Sequence, residues 1–122
     1  MGFHPINLAI RFLLEVLALL AMAYWGWTQH DGLARFLWAI GLPLLSAVIW
    51  GTFAVPDDRS RSGKAPVPVP GIVRLLLELA FFALATWAIV ASGLQTAGYL
   101  FGIVVVIHYL LSYDRIAWLI KN

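Results

Sequence analysis

Five residues in this chain are charged or titratable where their neighbours are almost all apolar: Arg11, Glu15, Arg74, Glu78 and His108. Arg11 and Glu15 close the ends of RFLLE, and Arg74 and Glu78 those of RLLLE. A spacing of four puts each pair on one helical face. Two chemistries are open to such carboxylates. They can bind a proton or cation and line a path, or they can meet a guanidinium and hold helices together. A charge at mid-bilayer costs roughly 2.5–3.5 kcal/mol on insertion scales, so each must pair or take up a proton. His108 is expected at the depth of the glutamates. A histidine between carboxylates can relay protons near neutral pH, and one without them hydrogen-bonds across helices.

The elements that must carry these residues are long and apolar. Of 122 residues, 62% are hydrophobic and 11% charged, against about 25% charged in a soluble domain. Four segments are long enough to cross about 30 Å of hydrocarbon. They run from about Ile6 to Trp27, Leu33 to Val55, Gly71 to Ala91 and Thr96 to Tyr113. The expected fold is an all-α membrane protein, one domain over 1–122, with four transmembrane helices arranged as two hairpins. Without cysteine there is no disulfide and no thiolate metal site. MGFHPINLAI lacks a basic n-region and Glu15 interrupts the apolar run, so the first segment reads as a retained span.

Short glycine-bearing turns join the first two spans (TQHDG) and the last two (SGLQT). The connection 56–70 is longer, and its Pro-Val alternation predicts an extended polyproline spacer. Pro56 is expected to stop the second helix, and Pro43, inside it, to kink it and free a carbonyl. Arg11, Arg59, Arg61, Lys64, Arg74, Arg115 and Lys121 fall on one side of such a membrane protein, and only Arg35 on the other. That asymmetry places both termini in the cytoplasm. Tyr24, Trp25 and Trp27 would form an outer aromatic belt, with Trp50 and Trp118 near the inner one. Tyr113-Asp114-Arg115 reads as a solvated exit, and 116–122 as a segment along the inner surface.

Aligning Arg11 with Arg74 gives a gapless match through Glu15 and Glu78, with Tyr24 opposite Trp87. Both halves start on one side, which is compatible with a parallel internal repeat. Arg11 can snorkel to the headgroups, whereas Glu15 lies about 6 Å deeper. Arg before Glu is the poorer order for pairing within a helix. The expectation is therefore pairing between helices, Arg11 with Glu78 and Arg74 with Glu15.

The runs NLAIRFLLE (7–15), WGTFAVP (50–56) and RLLLE (74–78), with Pro43 within the second span, resemble the YrdB-like family of small bacterial membrane proteins. The resemblance covers nearly all of the chain, least securely the fourth span. It implies a four-helix protein of the bacterial inner membrane and supplies no activity. The inner-interface residues Trp50, Gly51, Phe53 and Pro56 are its most distinctive element. Glu15 also resembles the first-span glutamate of small multidrug exporters, but the second Arg/Glu pair, the long middle loop and the one-sided charges depart from that pattern.

The leading functional reading is a non-enzymatic accessory or scaffold protein, or an oligomeric membrane subunit, assembled by its Arg/Glu pairs. The alternative is a small proton-coupled transporter or channel using Glu15, Glu78 and His108. A third reading is an inner-surface lipid or protein binder using the loop cations Arg59, Arg61 and Lys64, partly offset by Asp57 and Asp58. The bilayer is the expected partner, with a homo-oligomer or a second membrane protein open. No nucleic acid, cofactor or metal is expected. His4 and His30 stand at opposite ends of the first span, so the three histidines cannot converge on one ion.

Overall fold

The computed structural model describes residues 2–61 and 64–122. Its elements are α1 (Pro5–Thr28), α2 (Gly32–Thr52), β1 (Phe53–Ala54), β2 (Val67–Pro68), α3 (Gly71–Ala91), α4 (Gln95–Leu111) and α5 (Tyr113–Lys121). Helices α1, α2 and α3 are each long and apolar enough to cross a membrane. Helices α4 and α5, bent by 68° at Ser112, make a fourth candidate as a pair. Pro5 starts α1, where its missing N–H is no loss, and the His4 ring accepts from the Ile6 amide. The two tight turns use Gly32 and Gly93 at positive φ, a conformation that side chains resist.

Helices α1 and α3 form the centre and run the same way. Arg11 bonds Glu78 near one end, and Trp25 meets Trp87 at 5.2 Å near the other. Helix α2 runs back along α1, bringing Trp38 to Trp25 and Trp50 to Arg11, while α4 runs back along α3, setting Tyr109 beside Glu78. Gly26 allows the α1–α2 approach, since a Cβ there would strike the Ala39 backbone. Leu14, Ala18 and Met22 of α1 join Phe82 and Ala85 of α3 and Phe101 of α4 in the buried core. Helix α2 has no buried residue and lies on the outside.

Two expectations about the connections need correction. Helix α2 ends at Thr52, short of Val55, and Pro56 is not its stop: the backbone leaves the helix into β1, and the Trp50, Gly51 and Phe53 carbonyls accept from arginine side chains. An end satisfied by guanidinium donors needs no further helical turn. The segment 56–70 is not a detached spacer. Strand β2 pairs in parallel with β1, Val69 donates to the Ala54 carbonyl, and Ala54, Val55 and Asp58 are buried. Helix α2 runs on unbroken through Pro43.

Gly2 donates to Asp114, and α5 crosses the start of α3 where Gly71 lies against the Leu119 backbone. Both ends of the chain thus lie beside the connection 53–70, at the loop end of the bundle. The two short turns form the other end.

Candidate functional site

Glu78 is fully buried at the loop end. Its Oε2 accepts from Arg11 Nη2 at 2.8 Å, Arg74 Nε at 2.7 Å and Arg115 Nη2 at 2.8 Å. Its Oε1 accepts from Arg115 Nη1 and from the Tyr109 hydroxyl, each at 2.8 Å. Arg115 therefore grips the carboxylate with both terminal nitrogens, the strongest geometry open to a guanidinium. The cluster continues outward. Arg115 Nη2 also donates to Asp58 Oδ2 at 2.8 Å, and Arg11 Nε donates to Glu15 Oε1 at 3.2 Å. Three guanidiniums thus meet three carboxylates, and a charge balance of this kind is what makes burial of so many ions tolerable.

Each partner arrives by a different local device. Arg74 and Glu78 share a face of α3 at four-residue spacing. Arg11 reaches across from α1. The bend at Ser112 turns α5 so that Arg115 points back under α3. Asp58 comes from the loop, where its Oδ1 accepts from the Ser60 amide at 2.9 Å and hydroxyl at 2.7 Å. Ser60 in turn accepts from Arg11 Nη1 at 2.9 Å. Burial alone would raise the Asp58 pKa, but the hydrogen bond and charge of Arg115, with Ser60, hold it below the usual aspartate range.

Trp50 closes the cluster on the α2 side. Its ring lies under the guanidiniums of Arg74, at 4.4 Å, and Arg11, at 5.5 Å. Arg74 Nη1 donates to the Trp50 carbonyl and, at 2.8 Å, to that of Phe53, while Arg61 donates to the Gly51 carbonyl at 3.1 Å. The Trp-Gly-x-Phe element thus serves as a backbone receiver for two arginines. Pro56 is exposed beyond it.

Of the two expected inter-helix pairs, Arg11 with Glu78 is present. Arg74 does not bond Glu15; its Nε bonds Glu78 of its own helix at 2.7 Å, and its guanidinium lies on the Trp50 ring. Arg115 is the foremost of the residues that sequence reasoning missed, beside Asp58 and Tyr109. It is 2% exposed rather than solvated, because α5 folds back instead of leaving the bundle. Its signal was the amphipathic IAWLIKN run that follows it.

His108 is buried but does not touch the carboxylates. Its Nδ1 lies 3.2 Å from Asn7 Oδ1, and Asn7 donates to the Ser112 hydroxyl at 2.8 Å. This polar bridge fastens α1 to the α4–α5 corner. His30 sits at the turn end against Trp25 and Trp38. Of the loop cations, exposed Arg59 covers Phe3 at 4.2 Å, while half-buried Arg61 and exposed Lys64 line a common pocket with Asp57 and Asp58.

Beside the cluster lies a pocket of about 290 Å³. Arg11, Arg61, Arg74, Glu15, Trp50 and Ser60 supply its polar wall. Leu8 and the 63% exposed Phe12 form its apolar lip.

Residues 9–106 match the family described as a protein of unknown function, DUF2568. The chain belongs to this family. It is 37% identical over 116 residues to the uncharacterised protein YrdB of Bacillus subtilis (strain 168), covering 95% of this chain and 94% of that one. No solved structure matches. The stretch matched by the family takes in Arg11, Glu15, Asp58, Arg74 and Glu78 and stops before Arg115.

Proposed function

We propose that the chain is a four-span protein of the bacterial inner membrane with both termini cytoplasmic, acting as a non-enzymatic accessory or scaffold subunit. The observation that carries the reading is the filled coordination of Glu78: five donor contacts occupy its two oxygens. A carboxylate so engaged staples α1, α3, α4 and α5 together and leaves no room for a travelling cation. Such staples matter in lipid, where apolar burial gives little drive for helix association. The clustering of arginines at the loop end, with Arg35 at the turn end, supports the orientation. Helix α2, which packs on α1 along one side and has no fully buried residue, leaves a face for lipid or a partner subunit.

Native mass spectrometry of the tagged protein, extracted gently from its own membranes, tests this. A stoichiometric unrelated membrane protein is the expected result. A homo-oligomer alone, with proton flux in liposomes that vanishes in Glu15→Gln, overturns it. That outcome is the second reading, a proton-coupled transporter. Glu15 favours it: its side chain is 22% exposed, lines the pocket, and bonds Arg11 through one oxygen alone.

A further inference from the structure

Three side chains that line the pocket beside the cluster, Arg61, Arg74 and Glu15, keep hydrogen-bonding atoms that no bond among the described residues uses. Arg61 Nη1 is buried with no hydrogen-bond partner among the described residues. Arg74 spends Nε and Nη1 on Glu78 and two carbonyls, and none of its bonds to the described residues uses Nη2. Glu15 Oε2 accepts no hydrogen bond among the described residues. Charge decides what kind of guest fits. The six-membered cluster is balanced, three guanidiniums against three carboxylates, and Arg61 has no carboxylate partner among the described ion pairs. One positive charge is therefore left over at the pocket, which disfavours a cation and matches one monoanion. The lip made by Leu8 and Phe12 faces outward from α1, where lipid would lie.

We propose that this pocket holds the headgroup of one inner-leaflet phospholipid. Its phosphodiester, a single negative charge, takes the free N–H groups of Arg61 and Arg74. A hydroxyl or ammonium on the headgroup donates to Glu15 Oε2. The acyl chains leave over Leu8 and Phe12. A phosphodiester fits the single surplus charge better than free phosphate, which carries more charge at neutral pH and has no apolar part to place on the lip. The proposal goes beyond the scaffold reading; it rests on the membrane topology proposed above and not on an accessory role.

The test is a native mass-spectrometric titration of the full-length, delipidated protein in detergent with phosphatidylglycerol, phosphatidylethanolamine, phosphatidylcholine and inorganic phosphate. The expected result is one tightly held phosphatidylglycerol, with phosphatidylethanolamine weaker because its ammonium cancels the phosphodiester charge, and phosphatidylcholine weakest because its headgroup also lacks a donor. Arg61→Gln should weaken the first two by about tenfold, the worth of one charge-assisted hydrogen bond. Arg59→Gln, which changes an exposed loop cation, should leave them unchanged. Leu8→Trp fills the lip without removing a charge and should cause a comparable loss, so that a folding defect in Arg61→Gln cannot by itself decide the matter. Unchanged binding in both Arg61→Gln and Leu8→Trp overturns the proposal. Binding of inorganic phosphate without phospholipid overturns the lipid as occupant.

Discussion

Glu15 and Glu78 hold equivalent places in the two halves of the sequence, each four residues after an arginine in a leucine-rich run. Their surroundings have little else in common. Glu78 is fully buried and takes three arginines and a tyrosine. Glu15 keeps a 22% exposed side chain, one arginine contact and an open pocket. The difference comes from what packs around each helix. Helix α3 is flanked by α1, by the returning α4 and by α5. The Glu15 side of α1 opens on the pocket that Trp50 of α2, Ser60 and Arg61 of the loop and Arg74 of α3 also line. One sequence motif thus serves as a keystone in one half and as the wall of a binding pocket in the other.

The largest test of that contrast is Glu78→Gln. It leaves three guanidiniums around a neutral amide, and breaking a buried ion network by removing one partner costs about 3–5 kcal/mol. Expression and thermal unfolding in detergent should both collapse. The charge exchange Arg11→Glu with Glu78→Arg should not restore them, because Arg74 and Arg115 would then face an arginine. Recovery in the double variant would show that the cluster reduces to one pair.

Asp58→Asn should cost about 2–3 kcal/mol, since it removes a charged acceptor from buried Arg115. This effect carries a pH signature. The folded pKa of Asp58 lies below its unfolded value, so its contribution is complete at neutral pH and fades as pH falls through the folded value. Melting curves of the native chain and of Asp58→Asn should therefore converge on acidification. Curves that stay parallel down to strongly acidic pH would show that Asp58 is not held by Arg115.

Trp50→Leu should lose about 1–2 kcal/mol, the value of a cation–π face for two partly desolvated guanidiniums, read as a fall in melting temperature. Glu15→Gln should be the mildest, less than about 1 kcal/mol, because a partly exposed pair within one helix is worth little. A Glu15→Gln variant as damaged as Glu78→Gln would erase the distinction between the two halves.

Much of the bundle was legible from composition and spacing. Apolar length gave α1, α2 and α3 to within a few residues, glycines marked both turns, and the one-sided arginines anticipated the loop end where they gather. The candidate site was legible in part. Arg11, Glu15, Arg74 and Glu78 stood out because charge is rare in such runs. Arg115 and Asp58 did not, because each lies in a segment whose polarity is ordinary for a surface.

By itself the sequence determined which segments avoid water and which ions those segments must accommodate, since transfer energy and helical period are local properties. Only the tertiary structure decided who pairs with whom. A guanidinium side chain reaches several carboxylates at similar cost, and the choice among them falls to elements far apart in the chain. The bend at Ser112 delivers Arg115, the connection after β1 brings Asp58 to it, and Arg74, stacked on the Trp50 ring, bonds Glu78 of its own helix.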